Sequence, residues 1–263
     1  MEQKYFNFGK LFADLSGNII YVLEFLLIIF AMFFIAYAIE KIAKKRTGDT
    51  ERILSTRKIT VIAVFAAIAT VLHIFDFALP FAPPFYKLDF SEIPVLICGF
   101  AFGPVAGVMT EFIKILLKLV VKGTSTAFVG DLANFVVGCS FVLPASIVYH
   151  FVKTRKGAVL ACITGTVVIT VCGSVLNAVY LLPAFSALYG MPMEKLIGMG
   201  TAVNASITDV RTLVLYAVAP LNLIKGLSVS GVTMLVYKKL SPALKHGNVQ
   251  RMKPAPEHAG MGK

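Results

Sequence analysis

Seven stretches of this chain are too apolar, and most of them too long, for the surface elements of a water-soluble domain. They run Ile19–Ile39, Ile59–Leu79, Ile93–Phe102, Val105–Val121, Ala127–Tyr149, Ala158–Leu182 and Leu213–Tyr237. A helix needs roughly 20 apolar residues to cross a bilayer, and five of these runs reach that length alone. Hydrophobic residues make up 57% of the 263 positions and charged residues only 15%. A soluble domain carries about a quarter charged residues. The chain therefore reads as an all-α integral membrane protein of the cell membrane, passing through the bilayer several times.

The net charge of +11 does not point to nucleic acid, because the basic residues cluster between the apolar runs. That distribution is the signature of the positive-inside rule. The rule also arbitrates residues 93–121, which are either one kinked helix or two helices meeting at Gly103-Pro104. Two helices bring the basic loops Lys41–Lys58 and Lys153–Lys156 and the basic tail to one side, the cytoplasmic one. One helix would scatter them. The expectation is a six-helix core at 57–240, preceded at 1–56 by an extra transmembrane helix with a basic cytoplasmic linker. A disordered cytoplasmic tail follows at 241–263. The first run is longer than a signal-peptide core and has no small-residue cleavage site, so it is read as a helix. Cys98, Cys139, Cys162 and Cys172 all fall in apolar runs and read as buried small hydrophobes, not as a disulfide framework or metal ligands.

Ionisable groups at membrane depth are costly and default to functional hypotheses. Glu111, Lys114 and Lys118 share one helical face and read as mutually neutralising. Asp131 and Asn134 either cap their helix or line a pocket. His73 and Asp76 read as satisfied interfacial groups. Asn177 and Tyr180 are three apart on one helix, as are Asn222 and Lys225 on the next, just after Pro220. No acidic residue lies one turn from Lys225, so an oxygen-rich ligand is the expected partner. Ala63 and Ala67 form a small-residue seam of the kind that lets helices approach closely, within this chain or onto a partner.

Four segments then stand out together: Lys87-Leu88-Asp89-Phe90-Ser91-Glu92-Ile93-Pro94, Gly99 to Gly107, Gly130-Asp131-Leu132-Ala133-Asn134-Phe135, and Pro220-Leu221-Asn222-Leu223-Ile224-Lys225-Gly226. In order and spacing they resemble the substrate-binding S components of energy-coupling factor (ECF) vitamin transporters, most closely the riboflavin-specific type, over about residues 57–240. Leu221 stands where that type has phenylalanine, and Asp131 where glutamate is commoner.

The resemblance implies a six-helix membrane protein that captures riboflavin outside and hands it inward. It works with an ECF module of a transmembrane scaffold subunit and two cytoplasmic ATPases. It implies ligand contacts at Asn177, Asn222 and Lys225, a lid over about Phe81–Phe90, and scaffold docking at Ala63 and Ala67. An asparagine amide both donates and accepts, so it can pair with the imide edge of a flavin. Phe85, Tyr86, Phe90 and Tyr180 are the expected aromatic walls, with Asp89 and Asn134 completing the expected site. No Walker A sequence is present to power transport, nor a hydrolase elbow or zinc-protease motif, so no enzyme, cofactor or metal is expected. Alternatives are an S component for another flavin or vitamin, and a stand-alone membrane carrier.

Overall fold

A computed structural model describes residues 19–47, 51–124, 126 and 128–249. Their helices are α1 (Ile19–Thr47), α2 (Thr56–Ile74), α3 (Glu92–Phe102), α4 (Pro104–Lys122) and α5 (Val129–Phe151). Then come α6 (Arg155–Leu176), α7 (Leu182–Tyr189), α8 (Met193–Thr201), α9 (Val210–Leu213) and α10 (Ala219–Val249). A two-stranded hairpin, β1 (Phe77–Ala78) against β2 (Lys87–Leu88), joins α2 to α3 in antiparallel register, with Phe77 opposite Leu88.

The break at Gly103 is a backbone event. Gly103 has φ 104°, a region that only glycine enters at little cost. Pro104 then opens α4, where its missing N–H is no loss. The 11 residues of α3 span about 16 Å, roughly half of the bilayer core. The start of α3 therefore lies inside the bundle, and the segment before it is drawn down with it. Asp89, Ser91 and Glu92 are all at most 3% exposed.

Among the described residues, five helical rods are long and apolar enough to cross a membrane, including Arg155–Tyr189 and Val210–Tyr237. α4 is not among them. Its charges face inward instead: Glu111 and Lys114 are fully buried, and α4 packs on α1, α2, α3 and α5. The remaining core forms where α5 meets α6 and where α10 meets α3 and α6. It is filled by Val95, Leu96, Phe100, Phe141, Ala145, Ile169 and Val229.

Two π-helical turns interrupt the last rods, Asn177–Leu181 before α7 and Val214–Val218 before α10. Each is followed closely by a proline, Pro183 or Pro220, which lacks the N–H that an α-helix would use. A π turn absorbs that mismatch by inserting a residue.

Three expectations change. The last helix continues to Val249, so Ser241–Val249 is helical; the remainder of the expected tail lies outside the described residues. Cys98, Cys139 and Cys162 are buried as read, whereas Cys172 is exposed on α6. α8 and the turns around it were not foreseen at all. They cover Ala82 and Leu213 through Met193, Ile197 and Ile207.

Candidate functional site

A cavity of about 490 Å³ opens between the ends of α2, α4 and α6 and the beginnings of α5 and α10. The basic residues Arg57, Lys58, Arg155 and Lys156 stand at the opposite ends of these same helices. That volume lies within the range of small-molecule sites.

Its base is a buried ionic network. The Lys225 Nζ lies 3.2 Å from Asp89 Oδ2 and 3.0 Å from Glu92 Oε1. Lys114 Nζ donates to Ser91 Oγ at 3.0 Å and pairs with Glu92 at 3.4 Å and Glu111 at 2.6 Å. His73 Nδ1 is 3.4 Å from Asp89 Oδ2, and Asp89 Oδ1 accepts the Ser91 N–H at 2.8 Å. Burial alone would push the Asp89 carboxyl up, but the Lys225 ammonium, the His73 contact and Lys114 hold it well below the usual carboxylate range. Lone buried charges would be untenable, whereas this network compensates each of them. The expectation that Lys225 lacks an acidic partner is thereby corrected. Its partners come from the hairpin and α3, not from its own helix.

The two asparagines differ in their commitments. Asn177 Oδ1 accepts from the Tyr86 hydroxyl at 2.9 Å, and its Nδ2 donates to Gly173 O at 2.8 Å. Asn222 is 4% exposed, and its side-chain amide makes no hydrogen bond among the described residues. It packs against Gly173, where an added Cβ would come within 2.6 Å of Asn222 Nδ2. Only glycine on α6 leaves room for that amide.

The rim is polar and paired. Lys118 meets Asp131 at 2.5 Å, and Asp76 bridges Lys87 at 3.1 Å and Lys122 at 3.4 Å. The triplet expected on one face of α4 is thus divided: Glu111 pairs with Lys114, and Lys118 reaches across to α5. Asp76 is paired at the rim, and His73 is buried against Asp89.

Of the expected site residues, Phe85, Tyr86, Asp89, Asn134, Asn177, Asn222 and Lys225 line the cavity. Tyr180 does not. It packs beside Val129, Leu181 and Ala184, because the π turn that begins at Asn177 moves position i+3 off the face it would share in an α-helix. Phe90 also turns away, toward Phe77 at a ring separation of 6.1 Å. The aromatic wall is built instead by Phe85 on Tyr86, with ring centroids 4.5 Å apart, and by Phe185 stacked on Tyr189 at 6.0 Å. Burial raises the Tyr86 hydroxyl above its usual range, so it acts as a neutral donor. Phe185 and Tyr189 were missed in the sequence; their i, i+4 spacing past Leu182 was the available signal. Ala63 and Ala67 are exposed on α2, while Ala66 and Ala69 face the core.

A free amide, aromatic surfaces and a rim offering both donors and acceptors suit a planar, uncharged heterocycle with a hydroxylated tail. Comparisons with known proteins point the same way. The sequence model described as "ECF transporter, substrate-specific component" matches residues 57–237. The chain is 32% identical over 190 residues to the riboflavin transporter FmnP of Bacillus subtilis (strain 168), covering 72% of this chain and 94% of that protein. It is 35% identical over 189 residues to the riboflavin transporter RibU of Staphylococcus aureus (strain TCH60), covering 72% and 93%. A solved structure of the S component of a bacterial ECF transporter superposes with a TM-score of 0.56 at 34% identity, covering 72% of this chain and 98% of that one.

Proposed function

Because the chain belongs to the family of ECF transporter substrate-specific components, we propose that its cavity captures riboflavin from outside the cell for delivery inward. The observation that carries this reading is the Asn222 amide, buried at the cavity wall without a hydrogen-bond partner among the described residues. That amide lines the cavity, and the imide edge of an isoalloxazine supplies both the donor and the acceptor that a side-chain amide takes.

In this reading Asn222 and Asn177 take the flavin edge, and Lys225 donates to a flavin carbonyl while Asp89 and Glu92 keep its charge compensated. Phe85, Tyr86, Phe185 and Tyr189 sandwich the ring, and Asn134 with the rim groups meets the ribityl hydroxyls. Asp89 acts through Lys225. Tyr86 closes the 75–91 segment over the guest. The flavin is cargo, and no resident cofactor is invoked.

Association with an ECF module follows from the family, and we assign the docking of its scaffold subunit to the exposed face of α2 around Ala63 and Ala67. Two ATPases on that scaffold would supply the energy. The test is direct. Protein purified in detergent from riboflavin-fed cells should carry bound flavin, visible by its absorption. Flavin-free protein that also fails to quench riboflavin fluorescence would redirect the reading to another vitamin. Uptake that persists with the ATPases inactivated would favour a stand-alone carrier.

A further inference from the structure

The matched family residues begin at 57, which leaves α1 without an assigned role. Its buried positions Ile29, Ala36, Glu40 and Ala43 recur every three, four or seven residues, the spacing of a helix seam. They face α4 and α5. Phe33 meets Phe112 of α4 edge-on at 5.8 Å, and Ala36 joins Val105, Val108 and Leu132 in one cluster.

Glu40 stands in that seam as a carboxylate with 0% exposure. Its Oε2 accepts the Val105 N–H at 2.9 Å. Because Pro104 has no N–H, this is the first backbone donor of α4. A carboxylate there is favoured by the helix dipole as well as by the hydrogen bond. The room for it comes from Gly103, where a Cβ would press on the Glu40 carboxylate at 2.9 Å.

The same α4 carries Lys114 into the ionic base and Lys118 to the cavity rim. An axial slip of α4 would pull both lysines from their partners together. A buried polar contact in a largely apolar seam is a known way of fixing such a register. We propose that α1 is an integral part of the ligand-binding core and that Glu40 is a positioning residue, setting the register of α4 and through it Lys114 and Lys118. The ligand half of this inference rests on the riboflavin reading above.

The test uses full-length protein in detergent. Phe33→Cys with Phe112→Cys, the native cysteines replaced by alanine, reports the α1–α4 register by oxidative cross-linking without any flavin. Glu40→Ala should abolish the cross-link and weaken riboflavin binding roughly tenfold, the loss expected from removing a buried helix cap. Glu40→Gln keeps an acceptor for Val105 without the charge and should fall between; it carries the test if Glu40→Ala does not fold. Parent-level cross-linking and affinity in Glu40→Ala would overturn the proposal. So would lowered thermal stability with unchanged affinity, the mark of a merely structural residue. A parent protein that binds no riboflavin, with a cross-link that still depends on Glu40, would sink the functional reading while supporting the register claim.

Discussion

Lys225 on α10 and Asp89 in the segment before α3 meet at 3.2 Å although 136 positions separate them in the chain. This pair ties the last helix of the core to a segment that lines the cavity. The groups that would recognise a ligand and those that would enclose it are therefore mechanically joined. Glu92 reinforces the tie from 3.0 Å.

Asp89→Asn should keep the shape of that contact while removing its charge. Breaking a buried ion pair costs about 3–5 kcal/mol when one charge is left alone. Here Glu92 still compensates Lys225, so the loss should be smaller. We expect a lower unfolding temperature in detergent together with weaker riboflavin binding. Lys225→Ala should be the more damaging change, since it removes a cation that meets both Asp89 and Glu92. Unfolding scans with and without riboflavin check both.

Tyr86→Phe removes only the hydroxyl that donates to Asn177 at 2.9 Å. One neutral hydrogen bond contributes roughly 1 kcal/mol, so the closing segment should release its guest about fivefold faster. Stopped-flow displacement of bound riboflavin measures this. An unchanged release rate would mean that the Tyr86–Asn177 bond does not hold the segment closed.

Ala63→Leu with Ala67→Leu enlarges the exposed face of α2 without touching the cavity. Riboflavin affinity should stay at the parent value, whereas co-purification with the ECF scaffold subunit should fail. Retained assembly would move the docking face elsewhere on the bundle.

Much of this arrangement was legible in the sequence because its causes are local. Gly103-Pro104 marks where residues 93–121 could divide, and the clustering of basic residues decides for two helices. The inward charges of α4 were visible as a stripe, and Asn177 and Asn222 as amides stranded in apolar runs. What escaped depends on distance or on register. No local pattern links Lys225 to Asp89, or Lys118 to Asp131. Tyr180 was misplaced because an α-helical spacing was applied across a π turn, which follows from Pro183 only once the turn is known to continue. The half-length α3, which lowers Asp89 and Glu92 into the bundle, was seen as a short run but not as the reason for a buried floor.

Labelling from opposite sides tests the membrane orientation. A cysteine at the exposed position Lys156 should react only from the cytoplasmic side, and one at the exposed position Lys195 only from outside. The reverse pattern would put the mouth of the cavity in the cytoplasm and contradict capture from outside.

The most direct measurement is a riboflavin titration of purified parent and Asn222→Ala proteins by quenching of flavin fluorescence. The Asn222 side chain makes no hydrogen bond to the rest of the described chain, so its truncation should leave the unfolding temperature of the empty protein nearly unchanged. Affinity should fall roughly tenfold, the equivalent of about 1.4 kcal/mol for a lost ligand hydrogen bond. Equal dissociation constants for the two proteins would contradict the placement of the flavin in this cavity.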